Sequence, residues 1–122
     1  EFDDAELALK GAARAARGRR ERLSLLGMRA RLLASAGDAG GARELAPALE
    51  AGARELLARR SDDADLRYWL AAARLLAGDR EEALTHLVAA IHSDPRHHEE
   101  ALDDAIFASV HEEIERRVYP GE

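Results

Sequence analysis

The chain has 122 residues, of which 47% are hydrophobic but only 4% aromatic, and its formal net charge is −6. Alanine and leucine, which are strong helix formers, supply most of the apolar residues, so the composition excludes a sheet protein and predicts one soluble, all-α domain. The sequence has no cysteine for a disulfide or thiolate metal site, no apolar run approaching the ~18 residues of a membrane span, and no visible secretion leader, so we expect a cytoplasmic protein.

The charge is unevenly distributed along the chain. Residues 1–9 sum to −4, residues 10–31 to +7, residues 32–91 to −3 and residues 92–122 to −6. We interpret most of these charges as solvated helix faces that pair with neighbouring helices. The basic stretch could also contact an acidic partner. Nucleic acid is the less favoured partner, because no aromatic residue accompanies the arginines to stack on a base.

The first third of the chain predicts two helices separated by a glycine. Asp3 or Asp4 can act as the N-cap of a helix that runs to about residue 17, where Gly18 is expected to end it. A second helix is expected at about residues 20–36. Its apolar side chains recur at the three- and four-residue spacing of one buried helix face, namely Leu23, Leu26, Ala30 and Leu33. The glycine-rich residues 37–41 end it.

A proline interrupts the third helical stretch, which covers about residues 42–60. Proline lacks a backbone donor and clashes with the preceding turn, so two structures are open. Either the helix kinks at Pro47, or residues 42–46 form a separate turn and Pro47 opens the main helix, which we favour. Three more helices are expected at about residues 64–77, 79–92 and 97–118, separated by Gly78 and by Asp94-Pro95.

Residues 64–97 fit a 34-residue helix–turn–helix repeat of the tetratricopeptide (TPR) type. Gly78 stands at the turn, where a positive φ is favourable only for glycine. Asp79 can cap the second helix, and Ala83 is the small residue that permits a close helix crossing. Arginines occupy two positions that are usually aromatic, and Trp69 is expected to supply the missing bulk. We predict two antiparallel helices that meet at Gly78.

A more degenerate unit lies upstream in the same register. Gly37, Asp38 and Ala42 repeat the turn glycine, the capping aspartate and the small residue at an offset of 41 residues. The predicted architecture is therefore a TPR-like α-solenoid of about six antiparallel helices in one domain. Its parts are a half repeat at residues 3–18, a degenerate repeat at 20–60, the best TPR repeat at 64–97 and a capping helix at 98–119.

The order of these pieces resembles the C-terminal TPR region of the thioredoxin-like co-chaperones called chaperedoxins. The matching stretches are Asp4-Ala5-Glu6-Leu7, Leu25-Leu26-Gly27-Met28-Arg29-Ala30-Arg31-Leu32-Leu33, and residues 70–107, which include Gly78-Asp79-Arg80-Glu81-Glu82-Ala83-Leu84, Asp94 and Ala105-Ile106-Phe107. The given sequence contains no thioredoxin-like segment, so within this resemblance we expect either a fragment or a stand-alone relative. The resemblance implies a module that holds unfolded clients and delivers them to chaperonin or Hsp70-type chaperones.

The sequence carries no pattern typical of catalysis or metal binding. Five histidines lie in the C-terminal third without the spacing of a zinc-protease motif, and we interpret them as surface residues: His86, His92, His97, His98 and His111. No serine lies in a nucleophile elbow, and residues 37–41 lack the lysine and the preceding strand of a phosphate loop. We therefore expect no enzyme activity, no cofactor and no metal site.

Binding of another protein is the function that the pattern favours. The first helix of each TPR lines a concave groove, and this register predicts the groove residues Arg31, Tyr68, Ala72, Leu75, Leu102 and Ile106. The expected partners are unfolded clients or chaperones. Three alternatives stay open: Leu75 and Ile106 are simply core, the chain is a TPR scaffold of a regulatory or secretion assembly, or residues 14–31 serve a nucleic-acid-binding regulator.

The N-terminal helix predicts self-association. Its Leu7 and Leu9 face lacks the helix that should precede it in a solenoid, and an exposed apolar edge pairs readily with another copy. We expect a homodimer through this helix, weakened by Leu9→Glu.

Overall fold

A computed structural model describes the backbone of residues 2–120 and the side chains of residues 18–120. Within this part of the chain there is no strand, and the helices are α1 (Phe2–Ser35), α2 (Ala39–Glu44), α3 (Ala46–Leu57), α4 (Ala64–Leu76), α5 (Arg80–Ser93), α6 (Arg96–Asp103), a 3₁₀ helix (Ala105–Val110) and α7 (His111–Val118). The helices pack against one another, which confirms the predicted all-α, repeat-like fold class. None of the described helices is long and apolar enough to cross a membrane.

Two turns of the same construction reverse the chain direction. The backbone has a φ of 86° at Gly37 and 96° at Gly78, a region that side chains disfavour. The next residue, Asp38 or Asp79, donates its N–H to the carbonyl five residues earlier, at 2.8 and 2.9 Å, as in a Schellman motif. Each aspartate then caps the following helix by accepting the N–H three residues on. The recurrence predicted for these two turns is confirmed.

Helix α4 is the centre of the molecule, because it packs against α1, α3, α5 and the 3₁₀ helix. It buries seven residues: Leu66, Tyr68, Trp69, Leu70, Ala71, Ala72 and Ala73. Its three consecutive alanines allow neighbouring helices to approach closely. Ala83, in the first turn of the following helix α5, is buried, as expected for the small residue of a close crossing. The α4–α5 pair meeting at Gly78 is thus confirmed.

The structure decides between the two alternatives at Pro47. Helix α2 ends at Glu44, and Pro47 lies in the first turn of α3. The first turn of a helix leaves its N–H groups without intrahelical partners, so a proline there removes no hydrogen bond. The favoured alternative, in which Pro47 opens the main helix, is confirmed.

The helix break expected at Gly18 is wrong. Helix α1 is continuous from Phe2 to Ser35, so the predicted half repeat at residues 3–18 and the first helix of the degenerate repeat are one element. A single interior glycine costs only about 1 kcal/mol relative to alanine, and the alanine- and arginine-rich flanks favour helix. The apolar face predicted from Leu7 and Leu9 depends on side chains that lie outside the described residues.

The single capping helix expected at residues 98–119 is also wrong. Helix α6 ends at Asp103, a 3₁₀ helix follows, and α7 begins at His111. The break occurs because Asp104 adopts an extended conformation and its side chain accepts the N–H of Ile106. This local hydrogen bond competes with helix continuation. It also turns the chain so that the 3₁₀ helix packs on α1 and α4.

Candidate functional site

A buried carboxylate at the end of α6 joins three helical elements. Asp104 is 2% exposed and accepts hydrogen bonds from the Tyr68 hydroxyl at 2.7 Å and the Arg31 Nε at 2.9 Å. Its second oxygen accepts the N–H of Ile106 at 2.9 Å. The carboxylate is therefore fully partnered by α1, α4 and the 3₁₀ helix, as a buried charge must be.

The hydrogen bonds continue from Arg31 across the surface of α6. Arg31 Nη2 donates to Glu100 at 2.8 Å, and the other oxygen of Glu100 lies 2.8 Å from His97 Nδ1. His97 Nε2 lies 2.9 Å from Asp65, which in turn pairs with Arg20 at 3.4 Å. We call this set the Asp104 network; its members are Arg20, Arg31, Asp65, Tyr68, His97, Glu100 and Asp104.

An aromatic layer lies beneath the network. The ring of Tyr68 stacks on His97 at 5.0 Å and meets Phe107 edge to face at 5.3 Å. The guanidinium of Arg31 lies over Trp69, 5.2 Å from the ring centroid. Burial raises the pKa of Tyr68 above its ordinary value, as does the adjacent Asp104, so its hydroxyl stays protonated and remains a donor.

The network functions as a structural junction, because its polar groups are already paired. A cavity of about 220 Å³ beside it is lined by Arg20, Ser24, Asp65, Trp69 and His97, among others. No member of the network is placed as a nucleophile beside a free base. The arrangement therefore joins α1, α4 and α6 without an evident reactive group.

A possible cation cluster lies at one end of the network. Ligand atoms of Asp65, Asp94 and His97 lie within 4.8 Å of one another. Arg20 pairs with Asp65, and Arg96 pairs with Asp94 at 2.8 Å. A metal ion would have to displace these arginines and the proton between His97 and Asp65, so we assign no metal site to the cluster.

The structure does not form the open groove predicted from the TPR register. Tyr68, Ala72 and Ile106 are core residues, between 0% and 7% exposed. The 3₁₀ helix packs over this side of α4. The sequence analysis expected residues 105–110 to be part of one long helix instead. The prediction that these three residues form a groove floor is therefore wrong. For Ile106 the alternative interpretation, that it is a core residue, is the correct one.

The other three predicted groove residues are partly accessible. Leu75 and Leu102 are half-buried, and Leu75 packs on the edge of the core. The side chain of Arg31 is 31% exposed, but it pairs with Glu100 and Asp104. Arg31, Tyr68 and Ile106 are brought together around Asp104, a residue that the sequence reasoning did not single out.

Helices α1 and α3 form a different, open groove. It is lined by Arg19, Arg22, Leu23, Leu25, Leu26, Arg29, Ala48, Gly52 and Glu55, and has a volume of about 460 Å³. We call it the α1–α3 groove. Leu23 lies against Gly52, and Arg19 pairs with Glu55 at 3.5 Å. Within residues 18–120, Arg22 and Arg29 form no ion pair, so the groove has an apolar floor and a basic rim.

An exposed apolar stripe lies beside this groove on α1. Leu25 is 64%, Met28 49% and Leu32 71% exposed, and their spacing of three and four residues places them along one side of the helix. We call these three residues the α1 stripe. Contiguous exposed apolar residues of this size mark interaction surfaces more often than lone ones do.

Comparison with known protein families, curated proteins and solved structures found no match to this chain.

The stability that His97 contributes is expected to fall as the pH rises above about 6.5. Hydrogen bonding to Glu100 raises the pKa of His97 and lowers that of Glu100, while Asp65 also faces the ring and Asp94 lies nearby. Because the pKa of His97 is higher in the folded chain than in the unfolded chain, its stabilising contribution is complete below the unfolded-state pKa. This contribution is lost as the pH rises through the folded-state pKa. The difference in free energy of unfolding between wild type and His97→Gln, measured with urea, should therefore shrink between about pH 6 and 8.5.

A difference that stays constant or grows over this range would contradict the assignment of an imidazolium held between two carboxylates. His92→Gln is the matched control, because His92 is exposed and lies on α5 away from the Asp104 network. Its effect on the free energy of unfolding should be small at every pH.

Proposed function

We propose that the chain is a protein-interaction module that binds an apolar, acidic segment of another protein in the α1–α3 groove. The observation that carries this proposal is an open groove with leucines at its floor and arginines at its rim. Leu26 is half-buried and Leu25 is exposed, so an incoming apolar side chain would cover surface that water now contacts.

The shape of the groove favours a helical segment as the ligand. A groove between two antiparallel helices can bind the apolar face of an amphipathic helix. Arg22 and Arg29 are exposed and two helical turns apart on the same side of α1. They can therefore pair with two carboxylates that are two turns apart on the adjacent flank of such a helix. These rim charges would contribute orientation and association rate more than affinity.

A co-chaperone role is the form of this function that we favour. Unfolded clients expose apolar segments, and a groove of leucines and small residues accepts many sequences because it makes few directional contacts. The TPR-like turns at Gly37 and Gly78 and the resemblance to the chaperedoxin TPR region support the same proposal. A cytoplasmic TPR scaffold that binds one fixed partner is the alternative within the same fold.

The groove is tested with an acidic amphipathic peptide of about 16 residues, with leucines at the i, i+3, i+4, i+7 spacing and glutamates elsewhere. We expect saturable binding by fluorescence anisotropy, and much weaker binding of the same peptide with lysines replacing the glutamates. Ala48→Glu, which places a carboxylate in the groove, should weaken binding of the acidic peptide by roughly tenfold.

Ala51→Glu is the matched control, because Ala51 is exposed on the same helix but does not line the groove. Equal binding by wild type and Ala48→Glu, with both variants folded, would contradict the groove as the binding site. Suppression of aggregation of a thermally unfolded model client by wild type, and its loss in Ala48→Glu, would support the co-chaperone role. Peptide binding without any suppression would favour the scaffold alternative.

A further inference from the structure

Helix α6 is held to the rest of the molecule by few buried groups. Of its eight residues only His97 and Ala101 are buried, whereas α4 buries seven of its thirteen. The backbone is extended immediately before and after it, at Asp94 and Asp104. A short helix with little apolar burial between two extended residues can open locally while the remaining fold stays intact.

His97 fastens the first turn of α6 to α4. Its Nε2 lies 2.9 Å from Asp65 and its Nδ1 lies 2.8 Å from Glu100, while its ring stacks on Tyr68 at 5.0 Å. Both ring nitrogens therefore face a carboxylate at hydrogen-bond distance. Only an imidazolium carries a hydrogen on both nitrogens, so the two hydrogen bonds exist together only while His97 is protonated.

The charged surroundings of the ring favour this protonated form, because three carboxylates lie close to it and each nearby arginine is already paired with a carboxylate. The titratable and charged groups that face the ring directly or through one partner come from α1, α4, α6 and the residue before α6, namely Arg20, Arg31, Asp65, Tyr68, Asp94, Arg96 and Glu100. The 3₁₀ helix carries no titratable residue. Within residues 18–120, no side chain of α5 forms a hydrogen bond or ion pair with the imidazole.

We propose that the first turn of α6 is a pH-sensitive strap, which is closed over Tyr68 while His97 is protonated and opens more often as the pH rises above neutrality. In the neutral ring one nitrogen has no hydrogen, so either Asp65 or Glu100 faces a lone pair and its hydrogen bond is lost. Opening moves the imidazole off the Tyr68 ring. It also widens the cavity of about 220 Å³ between α1, α4 and α6, because His97 and Glu100 form the α6 wall of that cavity.

Helix α1 and the far end of α6 stay in place when the strap opens. Arg31 and Tyr68 keep their hydrogen bonds to Asp104, at 2.9 and 2.7 Å, and Arg20 keeps Asp63 at 2.9 Å. Asp104 is therefore the fixed end about which the first turn of α6 moves. The α1–α3 groove does not include α6, so the strap is independent of the proposed peptide binding.

The strap is tested by amide hydrogen exchange of the 122-residue chain, followed by nuclear magnetic resonance and corrected for the intrinsic pH dependence of exchange. The reporters are the N–H groups of Glu100 and Ala101, which bond the carbonyls of the first turn of α6. Their opening constant should rise roughly tenfold between about pH 6 and about pH 8, because one charge-assisted hydrogen bond is lost. At every pH it should exceed the opening constant of residues 70–73 in α4, which report global unfolding.

Three variants assign the opening to His97. His97→Gln should open at pH 6 about as often as wild type does at pH 8, without further pH dependence. Asp65→Asn is a milder variant, because Asp65 is exposed, and it should reduce the rise to less than about threefold, since an amide can donate to the neutral ring. His98→Gln is the matched control, because His98 lies on the same helix but pairs with Glu115 of α7, and it should keep the wild-type rise.

Equal opening constants for α6 and α4 at every pH would overturn the strap, because the whole chain would then be unfolding. A tenfold rise that persists in His97→Gln or in Asp65→Asn would also overturn it, as would a rise that disappears in His98→Gln.

Discussion

Replacing Asp104 with alanine is expected to lower the free energy of unfolding by about 3–5 kcal/mol, the largest effect that we expect from any single substitution. The variant leaves the buried Tyr68 hydroxyl without its acceptor and removes one of the two carboxylates that pair with Arg31. It also removes the side-chain acceptor of the Ile106 N–H, which fixes the turn into the 3₁₀ helix. Urea unfolding followed by circular dichroism measures the difference.

Asp103→Ala is the matched control for this variant, because Asp103 is the exposed neighbour on α6 and belongs to no described network. Its effect should stay within about 0.5 kcal/mol. Tyr68→Phe should cost about 1–2 kcal/mol, and much less when Asp104 is already alanine, because the two groups lose the same hydrogen bond. Strictly additive effects of the two substitutions would contradict a shared buried contact.

Gly27→Ala is expected to destabilise the fold by about 1–3 kcal/mol, although alanine is the better helix former. A Cβ at residue 27 would lie 2.3 Å from two carbons of the Trp69 ring, far inside van der Waals contact. The ring cannot simply move away, because it is packed beneath Arg31 and edge-on to Tyr68. The expected result is a lower midpoint of thermal unfolding and a changed tryptophan fluorescence spectrum.

Gly40→Ala is the control for this prediction, because the nearest atom to a Cβ there is a carboxylate oxygen of Asp38 at 4.0 Å. This variant should leave stability unchanged or raise it by up to about 1 kcal/mol. If Gly27→Ala were as stable as Gly40→Ala, the close packing of α1 on the Trp69 ring would be contradicted.

The features that the sequence predicted well are those set by neighbouring residues. The Gly37 and Gly78 turns need a positive φ and a capping aspartate, and both requirements are met by adjacent positions. The position of Pro47 in the first turn of α3 follows from the missing N–H of proline alone. The Gly18 break failed because the cost of one glycine is small compared with the propensity of the whole helix.

The site could not be predicted because it depends on contacts between distant parts of the chain. Arg31 and Asp104 are 73 residues apart in sequence, and Tyr68 and Asp104 are 36 apart. A straight final helix would have left α4 open as a groove, and the side chain of Asp104 prevents that helix from continuing. One local signal was present: an aspartate side chain can accept the backbone N–H two residues later and so form a turn within a helical pattern.

On α1, too, the spacing of residues within the helix was predictable, whereas its contacts with helices distant in sequence were not. The leucine spacing in residues 23–33 correctly indicated an amphipathic helix, and Leu23 and Ala30 are buried as expected. The sequence could not show that Leu25, Met28 and Leu32 would stay exposed, because this depends on which side of α1 the helices α3 and α4 cover.

Mapping the binding surface by backbone amide chemical shifts tests the central claim, that α1 and α3 present the protein-binding site, most directly. The ¹⁵N-labelled chain is titrated with the acidic amphipathic peptide at a concentration where sedimentation shows a single species. We expect saturable chemical-shift changes concentrated in residues 19–29 and 48–55. Shifts concentrated around Leu75 and Leu102 instead, or no saturable shift with a folded chain, would contradict it.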